Sequence, residues 1–110
     1  DFALNRLKNI LSNMNVFPKK MIKNLNMTNG LIFSQRVMLE LTRHGFSREN
    51  AYKIVQRNAQ KSWKKNVPFY ESLIKDPLIN KKISNKDLGK MFNLNYHTKR
   101  INIIYKFFII

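Results

Sequence analysis

The stretch NLNMTNGLIFSQRVMLELTRHGFSRENAYKIVQRNAQKSW, Asn24 to Trp63, decides the fold, because it carries two helix patterns and the turn between them. Thr28-Asn29-Gly30 is a turn signal, and Thr28 or Asn29 is suited to cap the next helix by accepting a bond from a free backbone N–H. From Leu31 to His44 the pattern is helical. Leu31, Ile32, Phe33, Val37, Met38, Leu39 and Leu41 take up most of the circumference, which predicts a helix buried between neighbours. Gly45 ends it, as the usual residue for the left-handed position after a helix. Ser47 then reads as an N-cap, with Glu49 in the first turn where the helix dipole favours an anion and Phe46 as an apolar staple. The long helix that follows is expected to turn Tyr52, Val55, Ala59 and Trp63 inward, with Ala51 and Ile54 beside them. Lys53, Arg57, Lys61 and Lys64 fall on its outer side.

Working outward, Leu4, Leu7, Leu11 and Met14 recur at helical spacing and form one apolar stripe, which Val16-Phe17-Pro18 stops. Pro18 opens a second short helix whose buried side is expected to be Met21, Ile22 and Leu25. On the other flank, Asn66-Val67-Pro68 breaks the long helix, Phe69, Leu73 and Ile74 suggest another, and Asp76-Pro77 ends that one. Ser84 with Asp87 resembles a capping box before Leu88, Met91 and Phe92. Tyr96 to Ile110 reads as a last helix, with a strand as the alternative because Ile103 to Ile110 is so apolar. The prediction is an all-α chain with short connections.

At 110 residues the chain suits one small domain. It begins without Met and enters an apolar helical pattern at once, so it is expected to be cut from something larger. The absence of cysteine removes disulfides, thiolate catalysis and the usual zinc sets, and it favours a cytoplasmic location. No segment approaches the roughly 20 apolar residues that cross a bilayer. The net charge of +15 raises nucleic-acid binding as an alternative. Yet the lysines are scattered from Lys8 to Lys106, and Lys, Asn and Ile share A/T-rich codons, so compositional drift is the preferred explanation. The apolar stripe of the first helix and the terminal run are the better candidates for subunit or interdomain contact.

Catalytic chemistry is hard to assemble from these residues. Asp1, Glu40, Glu49, Glu71, Asp76 and Asp87 are the only acids, and no two are spaced to act together on one helical face. His44 and His97 lack ligand spacing, so no metal site is expected, and His44 suits a helix C-terminus. Gly30, Gly45 and Gly89 are isolated and build no phosphate loop, so no cofactor site is expected either. Arg36 stands out as a cation in an apolar helix. A guanidinium there clamps a carboxylate or phosphate, or bridges to a carbonyl or acid of an adjoining helix, and the structural role is preferred.

Val16-Phe17-Pro18, Leu25-Asn26-Met27-Thr28, Gly30 through Val37, Ser47-Arg48-Glu49 with Ala51-Tyr52, Ile54 through Ala59, Asp76-Pro77 and Tyr96-His97 occur in an order that resembles the C-terminal domain of adenylosuccinate lyase, of the fumarase/aspartase superfamily. The resemblance implies the small helical domain of that superfamily over residues 18–110, preceded by the end of a central bundle helix over residues 1–17. It implies a reaction that eliminates fumarate from adenylosuccinate, and from the succinylated aminoimidazole carboxamide ribotide, with no cofactor or metal. It further implies a homotetramer, with the nucleotide substrate bound mainly by upstream regions as the rest of the lyase chain. The family's catalytic serine loop and histidines are not matched here, so Ser34, Ser47, His44 and His97 receive no catalytic role. Arg36 matches a helix of the family's last domain, as a packing or substrate-proximal residue. Relatives often follow the tyrosine-histidine segment with His-Val-Asp, where this chain has Thr98-Lys99-Arg100-Ile101-Asn102.

Overall fold

The computed structural model describes residues 1–108, and the helices among them are connected by short turns, with no strand. In chain order they are α1 (Phe2–Ser12), α2 (Pro18–Asn26), a 3-10 turn (Leu31–Phe33), α3 (Ser34–Arg43), α4 (Arg48–Lys65), α5 (Phe69–Ile74), α6 (Pro77–Asn80), α7 (Asn85–Met91), α8 (Asn95–Thr98) and α9 (Ile101–Lys106). The core is a closed ring of contacts in which α3 packs on α4, α4 on α5, α5 on α7 and α7 back on α3. Val37, Leu41, Ala51, Ile54, Phe69, Leu73, Ile79, Ile83, Leu88 and Met91 fill it.

Two turns close the ring by satisfying the last carbonyls of a helix. Past α3, Gly45 sits at φ +85°, its N–H donates to Thr42 O at 3.1 Å, and Phe46 N–H reaches back to Leu41 O at 3.2 Å. This is the six-to-one and five-to-two pairing that a left-handed residue permits. After α4, Asn66 takes the same conformation at φ +49°, with Val67 N–H donating to Ser62 O and Asn66 N–H to Trp63 O. Asn66 also accepts from Asn29 Nδ2 at 2.8 Å, and Asn29 O accepts from Phe69 N–H at 2.8 Å, which pins the turn before α3 to the turn after α4.

Several expectations change. Neither Thr28 nor Asn29 caps α3: Thr28 Oγ1 donates backward to Leu25 O, and Gly30, at φ +83°, carries the chain into a 3-10 turn before the α-helix begins. Phe33, Val37 and Leu41 are buried, but Ile32 and Leu39 are exposed, so α3 is buried on one side only. The inner face of α4 is Ala51, Ile54, Val55, Asn58 and Ser62, while Tyr52 and Trp63 are 55% and 74% exposed. Two polar residues belong to the core because each finds a partner there: Asn58 donates to Asp76, and Ser62 Oγ donates to Val67 O. Asp76-Pro77 does more than end α5, since Asp76 Oδ1 accepts from Leu78 N–H and opens α6. The segment expected as one last helix is two short ones, α8 and α9, and Ile109 and Ile110 lie outside the described residues.

Ser47 and Ser84 cap as expected, accepting from Asn50 N–H and Asp87 N–H. Residues 1–27 are exposed throughout, so Met21, Ile22 and Leu25 cover nothing and the α1 stripe stands free. The molecule is correspondingly elongated, 60 × 31 × 24 Å, with a radius of gyration of 19.1 Å.

Candidate functional site

Arg36 is half-buried on α3, and the ring of helices brings the end of α7 to it. Its Nη1 donates to Met91 O at 3.0 Å and Asn93 O at 3.2 Å. These carbonyls lie at and just past a helix C-terminus, where backbone acceptors have no intrahelical partner and carry partial negative charge. The guanidinium also lies 3.9 Å from the centre of the Tyr96 ring, stacked on its face. Lys99 Nζ lies 4.3 Å from the same ring, and His97 meets Tyr96 edge-on at 5.3 Å and Phe33 at 6.1 Å. The cation that sequence singled out is therefore spent on backbone carbonyls and an aromatic face. Its Nε is buried with no hydrogen-bond partner.

A recess of about 230 Å³ opens beside this cluster, walled by Ile32, Leu39 and Tyr96 and edged by Gln35, Arg43 and His97. Glu40 occupies part of it and accepts from Arg43 at 2.6 Å, so its one acid is already paired. His44 lines a different recess with Asp87 and Lys90, and its Nδ1 donates to Glu40 O at 2.8 Å, the helix-terminal role expected of it. The two histidines do not meet. Ser34 begins α3 and Ser47 caps α4. Among the described residues no three His, Asp or Glu side chains converge as metal ligands.

The strongest electrostatic feature lies elsewhere. Asp76, 4% exposed, accepts from Arg57 Nη2 at 2.5 Å, from Asn58 Nδ2 at 2.6 Å and from Leu78 N–H at 3.1 Å. Burial pushes its carboxyl up, but the bonds from Asn58, Arg57 and Leu78 and the Arg57 charge outweigh burial and hold it below the ordinary aspartate value. The Asp-Pro pair at a helix start was the signal available in sequence, and periodicity gave no hint that Arg57 and Asn58 reach it from α4. Asp87 is also held low, by Lys90 and Ser84, at the exposed end of α7.

Three features follow: one arginine clamping the end of a helix, one buried acid tying α4 to α6, and a long apolar surface left uncovered. Comparison with known proteins accounts for that pattern. Residues 30–108 match the family model described as adenylosuccinate lyase C-terminus. The chain is 42% identical to an adenylosuccinate lyase of Helicobacter pylori, 44% to that of Streptococcus mutans and 41% to that of Bacillus subtilis, each over 96% of its own length. It spans 26%, 24% and 25% of those relatives, about a quarter of each. A basic nucleic-acid-binding module, the alternative raised by the net charge, finds no support in these similarities. No helix among the described residues is long and apolar enough to cross a membrane.

Proposed function

The chain belongs to the adenylosuccinate lyase C-terminus family, and from that membership we propose that it works as a noncatalytic structural domain of an adenylosuccinate lyase. The complete enzyme eliminates fumarate from adenylosuccinate, giving AMP, and from the succinylated aminoimidazole carboxamide ribotide of purine synthesis. It does so in the cytoplasm as a homotetramer. Residues 1–17 are the end of a central bundle helix, and residues 18–110 are the C-terminal helical domain.

Such an elimination needs a base for the proton β to the departing nitrogen, an acid for that nitrogen and cations for the substrate's carboxylates and phosphate. Upstream regions supply these groups, and this domain holds the shape around them. Arg36 acts at one remove from substrate, through the segment it clamps. The observation that carries the reading is a match running through nearly the whole chain to one part of lyases four times as long. The engagement of Arg36 with carbonyls and a ring supports the noncatalytic assignment.

Fumarate release tests the proposal. The full-length polypeptide is expected to release fumarate from adenylosuccinate, and the purified 110-residue chain is expected to release none. Turnover by the chain alone, abolished by a point change within it, overturns the noncatalytic role. Inactivity of the full-length polypeptide overturns the lyase.

A further inference from the structure

Helix α9 contains six residues and buries none of them. Ile101, Ile103, Ile104 and Tyr105 are exposed, and Phe107 and Phe108 are 80% and 77% exposed. Among the described residues α9 packs substantially on no other helix. Isolated helices shorter than about 12 residues are marginal in water, so a six-residue helix with no buried face needs a surface to lie on. A run of this composition left open to solvent marks an interaction site.

What directs this segment is the Arg36 clamp. Both carbonyls it binds, and the ring it stacks on, lie between residues 91 and 96, just before α9 leaves the body. The match to the family continues to residue 108, well past Met91, the last buried one among the described residues. The exposed run therefore lies within the span that the family model matches. The relatives share the rest of a lyase polypeptide, about three-quarters of its length.

We propose that residues 101–108 form an apolar docking strap that seats on the helical remainder of the lyase, and that Arg36 is the positioning residue that sets its exit from the body. The inference rests on the lyase reading above. Lys99, Arg100 and Lys106 border the strap, and no acid occurs from Leu88 to Phe108, so the seat is an apolar groove edged by carboxylates.

Hydrogen exchange read by mass spectrometry, on the 110-residue chain and on the full-length lyase carrying it, tests this. Residues 101–108 are expected to exchange freely in the chain alone and to slow by about tenfold or more in the full-length protein. Ile104→Asp, at a residue 55% exposed, should leave the isolated chain unchanged and remove that slowing, baring a matching upstream peptide. Arg36→Lys keeps the charge but loses the fork to two carbonyls. It should remove the slowing in residues 93–108 while residues 33–91 keep theirs, and uniform loss across the body would mean that Arg36 only supports the core. Fumarate release with residues 101–108 unprotected would defeat the strap and leave the lyase reading standing, whereas absence of release from the unaltered full-length protein would sink both. Slowing that appears in the isolated chain as its concentration rises assigns the surface to a second copy, and slowing that appears only on anionic vesicles assigns it to a membrane. Either result overturns the proposal.

Discussion

Asp76→Ala removes the acceptor that joins α4 to α6, and the structure sets the size of the loss. Leu78 N–H loses its cap, a change that costs about 1 kcal/mol. Asn58, at 0% exposure, keeps its bond to Ile54 O but loses the one to the carboxylate, and a buried donor left short costs about 1–3 kcal/mol. Arg57 has a side chain 53% exposed to solvent, so losing that ion pair adds less than about 1 kcal/mol. Together the expected destabilisation is about 3 kcal/mol at neutral pH, read as a shift in the urea midpoint at unchanged slope. The pH dependence has a definite sign. Because the folded carboxyl is held below its ordinary value of 3.8, its contribution is complete above that pH and is lost as pH falls through the lower folded value. The gap between the two proteins should therefore narrow in acid. Asp76→Asn keeps an oxygen for Leu78 N–H but turns an amide donor toward Arg57 and Asn58, so it should recover only the cap, about 1 kcal/mol. A neutral-pH loss below about 0.5 kcal/mol, or a gap that widens in acid, refutes the reasoning.

Two further comparisons use pairs of sites that sequence makes look alike. Gly30→Ala and Gly45→Ala both place a side chain at positive φ, but a Cβ at Gly30 meets Phe92 Cε1 at 3.3 Å whereas one at Gly45 meets only the flexible Lys82 Nζ at 3.8 Å. Gly45→Ala is expected to cost about 1 kcal/mol and Gly30→Ala more, in thermal or urea unfolding. Trp63→Ala and Phe69→Ala delete large aromatics at 74% and 0% exposure. The first should change stability by less than about 0.5 kcal/mol and the second by about 3–5 kcal/mol, and near-equal losses would contradict the face assigned to α4.

Local signals were the most legible part of the chain. Gly45, Ser47 and Ser84 act through bonds to residues no more than a few positions away, so residue type at one position was enough to place them. The face of α4 was legible in part by the same means. The apolar pattern placed Val55 inward with Ala51 and Ile54 beside it, and all three are buried, but Tyr52 and Trp63 are exposed and Asn58 and Ser62 are buried instead, one residue step around the helix from Ala59 and Trp63. One step is about 100°. Burial of Asn58 and Ser62 is offset because Asp76 and Val67 O receive their donors, although Asn58 Oδ1 has no partner, and Asp76 lies beyond α5 in the chain. Hydropathy counts the polar atom and cannot see the acceptor. Arg36 was legible as an anomaly, and its structural role was the preferred one, but the identity of its partners required α7 to be folded against α3.

The remaining mismatch is more informative than a rotated face. Leu4, Leu7 and Leu11 on α1, with Met14 just past its end, are as periodic as any core helix, yet all four are more than half exposed, and Ile103 and Ile104 on α9 share that condition. Periodicity reports that a face is to be buried and is silent about whose surface buries it. Within residues 33–91 the covering surface belongs to this chain, and there apolar pattern and burial largely agree. Outside that body the same pattern persists without a covering surface, at both ends, while the interior is complete and its ring of helix contacts closed. A closed core flanked by uncovered amphipathic helices is what results when a sequence encodes both a domain and its attachment to something else. The proposed tetramer and the proposed upstream bundle are competing claims on one quantity, the apolar surface that α1, α2 and α9 leave in water. Exchange protection measured helix by helix in the full-length protein divides that surface among them.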